Sequence, residues 1–76
     1  MTDTLDRTPA GARVVIDGVD GPLGTRLGEL GLLPGAEVEV VQAIPLGGPI
    51  VLDREGFLLA IRREDARSIR VRGGAA

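Results

Sequence analysis

The sequence contains no cysteine and no histidine, and it also lacks lysine, tyrosine and tryptophan. Without cysteine the chain forms neither disulfides nor thiolate metal sites, and nothing in it indicates an oxidising compartment. Without histidine, no side chain titrates near neutral pH by default. The remaining nucleophiles and bases are Ser68, four threonines and the carboxylates, from which no catalytic triad can be assembled. We therefore expect a binding module rather than an enzyme, with no catalytic residues and no cofactor.

Aromatic residues are almost absent as well, since Phe57 is the only one. The apolar share of 43% in 76 residues suffices for one core, which must be built from Val, Leu, Ile and Ala. Such side chains suit narrow β layers. No segment resembles a signal peptide or approaches the ~20 apolar residues of a membrane span. We expect a cytoplasmic protein with no direct membrane insertion.

Charge is unevenly distributed along the chain. Residues 1–61 hold four arginines and nine acids, a balance of −5, whereas residues 62–76 hold five arginines and two acids, a balance of +3. All nine basic residues are arginines, which is most simply a compositional bias of the source genome. The arginine-rich end is either a solvated face or a patch that contacts a partner.

Metal and phosphate sites find little support in the residues. Three pairs of carboxylates remain as possible ligands: Glu37 and Glu39, Asp53 and Glu55, and Glu64 and Asp65. None follows calcium-type spacing, and the imidazole and thiolate ligands of transition metals are missing. The glycine-rich run at 18–24 lacks the lysine that a phosphate-binding loop needs. We predict no metal site, and we interpret the three pairs as solvated surface charge.

Short apolar runs alternate with glycine and proline between residues 10 and 72, whereas segments 1–9 and 73–76 are predicted to be disordered tails. The predicted strands cover residues 12–19, 36–43, 50–53, 57–62 and 68–72, with a helical turn over 63–67. Glu55-Gly56 indicates a tight hairpin. Five short strands joined by tight turns predict a small barrel.

One short helix is predicted to begin at Gly21-Pro22. Its apolar stripe follows the spacing i, i+4 and i+7, at Leu23, Leu27 and Leu30. Gly24 and Gly28 lie beside the stripe, and they indicate either close packing on the barrel or a shallow groove that a partner approaches. Gly31 suits the left-handed position after the helix, and residues 33–36 predict a type II turn.

Three segments, in order, resemble the signature of the FeoA family. Residues 26–40 match its helix, turn and strand, residues 45–50 match its Pro-Leu-Gly-Asp-Pro loop, and residues 59–71 match its closing strand, turn and strand. The resemblance covers about residues 10–72. It departs at Gly48, where Asp is common, and at Ile44, where a small residue is usual. The family implies a mainly β fold, a five-stranded SH3-like barrel with one inserted helix.

The resemblance also implies a function, as an accessory or regulatory protein of ferrous iron uptake. The expected partner is the cytoplasmic portion of a membrane GTPase permease that carries Fe²⁺. The candidate partner-binding residues are Arg26, Gly24, Gly28, Leu46 and Gly47. Leu46 has a second interpretation, in which it folds back and covers one end of the barrel.

Two other functions stay open at this point. One is a divalent-metal-responsive module related to the C-terminal domains of iron-dependent repressors, against which the missing histidine and cysteine argue. The other is a small barrel that binds nucleic acid, although scarce aromatics and net negative charge lead us to expect no nucleic acid partner. The sequence makes no prediction of the oligomeric state.

Overall fold

The computed structural model describes residues 3–73, which form one antiparallel sheet of six strands with two short helices. The strands are β1 (Asp3–Thr4), β2 (Arg13–Val19), β3 (Glu37–Ala43), β4 (Ile50–Arg54), β5 (Phe57–Ile61) and β6 (Ile69–Gly73). Helix α1 spans Leu23–Glu29, helix α2 spans Arg63–Ala66, and a 3₁₀ turn spans Leu5–Arg7. The strand order is β1-β6-β2-β3-β4-β5, so β1 and β5 are the two edges. The predicted mainly β class is confirmed. No helix within residues 3–73 is long and apolar enough to cross a bilayer.

The core is entirely aliphatic. Alternation along the strands sends every second side chain inward, as with Val38 and Val40 of β3, while Glu37 and Val41 face outward. The buried apolar side chains are Leu5, Val14, Ile16, Leu27, Leu32, Val38, Val40, Ile50, Leu52, Ile61, Ala66, Ile69 and Val71. Every strand except β1 contributes at least one of them.

The N-terminal segment differs from its prediction. The sequence predicts a disordered tail over residues 1–9, whereas Leu5 is fully buried and Thr4 pairs with Arg70 of β6. The Thr8 N–H donates to the Leu5 carbonyl at 3.1 Å, which closes the 3₁₀ turn. The prediction missed this segment because one leucine among polar residues shows no periodicity, yet the small core needs its volume. At the other end, Gly73 belongs to β6 rather than to a tail, and residues 1–2 and 74–76 lie outside the described range.

Helix α1 packs on the barrel through fewer leucines than its stripe predicts. Leu27 is buried and Leu23 packs against the core, but Leu30 is 52% exposed. The stripe fails at Leu30 because the helix ends at Glu29, and the chain then reverses direction. Leu32, two residues later, enters the core in its place.

The helix ends in the hydrogen-bond pattern of a Schellman motif. The Leu32 N–H donates to the Leu27 carbonyl at 2.9 Å, and the Gly31 N–H donates to the Gly28 carbonyl at 3.0 Å. Gly31 has φ of 85°, the left-handed conformation that the sequence predicts for it. The first of these two hydrogen bonds joins Leu32 to Leu27, and both of their side chains are buried. This cap turns the chain from α1 toward β3.

The two predicted tight turns are also confirmed. The Ala36 N–H donates to the Leu33 carbonyl at 2.9 Å, and Gly35 has φ of 95°, as a type II turn requires. Glu55 and Gly56 have φ of 51° and 90°, which is the type I′ geometry that suits the right-handed twist of a hairpin. The β4–β5 register, with Arg54 opposite Phe57, follows from that two-residue turn.

The burial of Leu5 gives a first prediction. Leu5→Ala leaves a cavity in a core of short aliphatic side chains, so we expect a loss of about 2–4 kcal/mol in the free energy of unfolding. Chemical denaturation measures it, with Arg7→Ala on the exposed face of the same 3₁₀ turn as the control. A midpoint for Leu5→Ala equal to that of the parent would mean that the segment does not pack.

The second prediction concerns Gly31. A Cβ at this position would lie 2.9 Å from Cζ of Arg54, in addition to the strain of a left-handed φ. Gly31→Val should lower the free energy of unfolding by about 1–3 kcal/mol. Gly21→Val is the control, because Gly21 also has a positive φ but no heavy atom within 4 Å of the added Cβ. If the two variants lost the same stability, backbone strain alone would explain the effect at Gly31. If Gly31→Val lost no stability, the assignment of Gly31 as the helix cap would be contradicted.

Candidate partner-binding surface

The most exposed apolar side chain lies in the loop between β3 and β4. Leu46 has a relative exposure of 103%, so it touches almost nothing else in the described chain. Its φ of 62° is left-handed, which is uncommon for a residue with a γ-branched side chain. Gly47 follows with φ of 79°. The structure therefore rules out the interpretation in which Leu46 covers an end of the barrel, and it leaves the side chain available for contact.

The side chain of Arg63 in helix α2 holds this loop by hydrogen bonds to its backbone. Its Nη2 donates to the Ile44 carbonyl at 2.9 Å, and its Nε donates to the Gly48 carbonyl at 3.3 Å. The backbone closes the same loop, since the Ile44 N–H donates to the Pro49 carbonyl at 3.1 Å. Charge-assisted bonds of the guanidinium are among the stronger hydrogen bonds. The loop that carries Leu46 is thus exposed but anchored at both ends.

The two departures from the family loop pattern touch each other. A Cβ at Gly48 would lie 2.5 Å from Cγ2 of Ile44 and 2.9 Å from its Cβ. The Ile44 side chain therefore fills the space that a side chain at position 48 would need. Ile at position 44 and a residue without a side chain at position 48 therefore fit together.

The glycines of helix α1 face the protein itself. A Cβ on Gly24 would lie 3.6 Å from the carbonyl oxygen of Val19 in β2, and one on Gly28 would lie 3.1 Å from Cδ2 of Leu33. This favours the close-packing interpretation over an open groove. Arg26 is exposed on the same helix, with no ion pair to any residue in the range 3–73. The five candidate residues thus form two groups, one on α1 and one in the β3–β4 loop.

The arginine-rich C-terminal segment is interleaved with acids. Because β6 lies beside β2, Arg70 pairs with Asp20 at 3.2 Å and Arg72 pairs with Asp17 at 3.7 Å. Arg67 lies 4.0 Å from Asp6. Arg62 pairs with Glu64 and Asp65. The sequence showed a separation of charge, and the fold offsets much of it, because each of these four arginines lies within 4.0 Å of an acidic side chain.

Four of the carboxylates named as possible metal ligands line one open groove of about 410 Å³, between β3 and the β4–β5 hairpin. Arg13 reaches into it and pairs with Glu37 at 3.5 Å and with Glu39 at 3.9 Å. Arg54 pairs with Glu55 at 3.5 Å. In the part of the chain that the structure describes, no three acidic side chains gather as metal ligands would. The groove thus holds two arginines among four carboxylates, and three of these carboxylates are in ion pairs.

These features describe a class, namely small SH3-like barrels. A sequence model of the FeoA domain matches residues 4–73, and the chain belongs to the FeoA family. This family consists of small accessory SH3-like domains linked to ferrous iron transport, and it is not a known enzyme family. A search of curated proteins found no match.

Solved structures agree with this assignment. The solution structure of FeoA from Chlorobium tepidum is 37% identical with a TM-score of 0.86, over 96% of this chain and 71% of that one. FeoA from Stenotrophomonas maltophilia, solved with zinc and described as a prokaryotic SH3 domain protein, is 28% identical with a TM-score of 0.80, over 92% and 89%. A manganese-dependent transcriptional repressor shares the fold alone, at 12% identity and a TM-score of 0.86, over 96% of this chain and 42% of its own.

Sequence reasoning missed Arg63 as part of this surface. Its bonds to Gly48 and Ile44 span 15 and 19 residues, so no local pattern indicates them. The one available signal was the departure of two loop positions from the family pattern, which pointed at the loop but not at its anchor.

The contact between positions 44 and 48 gives a third prediction. Gly48→Asp alone should lower the free energy of unfolding by about 1–3 kcal/mol, because the new Cβ overlaps the Ile44 side chain. In the background of Ile44→Ala, the same change should cost much less. A double-mutant cycle by thermal or chemical denaturation measures the coupling. Additive losses would show that the two departures are independent.

Proposed function

We propose that this protein acts in ferrous iron uptake by binding the cytoplasmic portion of a membrane GTPase permease that carries Fe²⁺, as a cytoplasmic accessory or regulatory protein. Membership of the FeoA family supports the pathway. The contact surface is the β3–β4 loop around Leu46 and Gly47, with Arg26 of helix α1 as a second, polar point of contact. Gly24 and Gly28 shape that helix rather than touch the partner.

The exposure of Leu46 is the observation that carries the proposal. Exposing a leucine gives up roughly 1.5–3 kcal/mol of hydrophobic stabilisation, and a left-handed φ costs roughly a further 1–3 kcal/mol. Neither feature helps the barrel to fold, yet Arg63 holds the loop in place with two hydrogen bonds. Backbone strain that folding does not require clusters at ligand-binding and contact sites, and here it lies at an exposed apolar side chain.

The alternatives have weaker support in the same structure. A nucleic-acid surface needs a basic groove with aromatic platforms, whereas the C-terminal arginines pair with acids and Phe57 is the sole aromatic residue. A metal-responsive module needs a ligand set, and the acidic groove holds Arg13 and Arg54 in ion pairs with its carboxylates. A protein–protein contact requires neither a basic groove with aromatic residues nor a set of metal ligands.

The test compares Leu46→Asp with the parent chain. Because the side chain is already in water, we expect an unchanged thermal melt. Binding to the purified cytoplasmic portion of the permease should weaken at least tenfold, which is about 1.4 kcal/mol. Calorimetry or a pull-down measures the binding.

Val41→Asp is the matched control, since Val41 is an exposed apolar residue of β3 outside the loop, and it should bind normally. Equal binding by Leu46→Asp and the parent would reject the loop as the contact. No binding by the parent chain would reject the proposed partner.

A further inference from the structure

Strand β5 is an apolar edge strand. Its sequence is Phe-Leu-Leu-Ala-Ile, and β4 is the only described strand that pairs with it. Phe57 is 71% exposed, Leu58 is 65% exposed, and Ala60 is exposed as well. Proteins normally protect such edges with lysine, proline or a bulge, and β5 contains none of these. An apolar edge with free backbone groups is a template for another strand.

The hairpin register identifies the free backbone groups. In a two-residue hairpin the pair that closes the turn exchanges hydrogen bonds, and the pairs then alternate. Arg54 and Phe57 close this turn, so Phe57, Leu59 and Ile61 direct their N–H and C=O groups toward β4. Leu58 and Ala60 direct theirs away from it. Within residues 3–73 no hydrogen bond reaches these outward groups.

We propose that β5 pairs with β5 of a second copy of this chain, antiparallel, about a two-fold axis at Leu59. In this register Leu58 faces Ala60 of the other copy, and each pair exchanges both N–H and C=O groups. Every free group of both edges is then bonded. A large side chain meets a small one on the outer face, and Phe57 lies across from Ile61 of the second copy.

Charge complementarity supports a second copy as the partner. With the axis at Leu59, Arg62 of one copy lies opposite Gly56 and beside Glu55 of the other, and the contact occurs twice by symmetry. Glu55 and Arg62 are largely exposed, and their ion pairs within one copy, with Arg54 and with Glu64 and Asp65, are surface pairs that can exchange for a pair across the axis. The edge is thus self-complementary in charge as well as in hydrogen bonding.

The association is weak, because a five-residue edge buries much less than a standard interface. Sedimentation of the whole chain over roughly 10 μM to 1 mM should show a monomer–dimer equilibrium. Hydrogen exchange should show protection of the Leu58 and Ala60 amides that rises with protein concentration, while the Leu59 amide is protected at every concentration. The proposal would be overturned by a chain that stays monomeric at 1 mM. It would also be overturned if hydrogen exchange of the Leu58 and Ala60 amides did not depend on protein concentration.

Ala60→Pro tests the edge directly, because it removes an N–H that β4 does not use. It should abolish the dimer. Leu58→Lys supplies a second block that does not alter the backbone, and it should also shift the equilibrium at least tenfold toward monomer. A folded Leu58→Lys variant that dimerises as well as the parent would place the interface elsewhere.

Charge exchange tests the register. Glu55→Arg should weaken the dimer by placing two arginines together, and adding Arg62→Glu should restore it. Failure of that rescue would reject the axis at Leu59.

The proposed dimer is independent of the proposed permease contact. Leu46→Asp should dimerise normally, so the failure of one proposal can be distinguished from the failure of the other. If an apolar peptide binds β5 while the chain stays monomeric, the partner of this edge is another protein segment, and the proposed pairing of two copies is wrong.

Discussion

The structure depends on one constraint, which is that the whole core must be assembled from aliphatic side chains. No aromatic ring supplies a large apolar area, and a short domain has few residues to give. The core therefore gathers single leucines from segments that otherwise look irregular. Leu5 comes from the N-terminal 3₁₀ turn, and Leu32 is the third residue after helix α1. The Schellman motif at Gly31 exists in this context: it reverses the chain where Leu32 must turn inward.

Local signals in the sequence predicted most of this fold. Alternation located β2 and β3, and glycine in positions that need a positive φ located the helix end, the type II turn and the hairpin. The errors fall where a residue acts through distant contacts. Leu30 satisfies the helical spacing but lies beyond the last helical turn, and Leu5 satisfies no spacing at all. A lone leucine in a polar segment carries no periodicity, so only the packed barrel shows that it is buried.

The candidate surface was predicted in part. An apolar residue between Pro45 and Gly47 was visible in the sequence as an oddity of composition, but its two interpretations were equal until the structure showed the side chain in water. The role of Arg63 could not be predicted from the sequence, because it depends on a helix and a loop that only the fold brings together. The charge pattern misled in the same way, since two charges of the basic excess are offset once β6 lies beside the acids Asp17 and Asp20.

The anchored β3–β4 loop has a consequence for the thermodynamics of association. Fixing the backbone of one residue costs about 1–2 kcal/mol of conformational entropy, and a mobile loop incurs that cost each time it binds. Here the bonds from Arg63 order the loop in the free protein, so the loss belongs to folding and not to complex formation. In the proposed complex, recognition is then rigid docking of a preformed loop. A rigid loop cannot adapt to surfaces of other shapes, so in the proposed complex the anchor that favours binding also narrows the set of surfaces that fit.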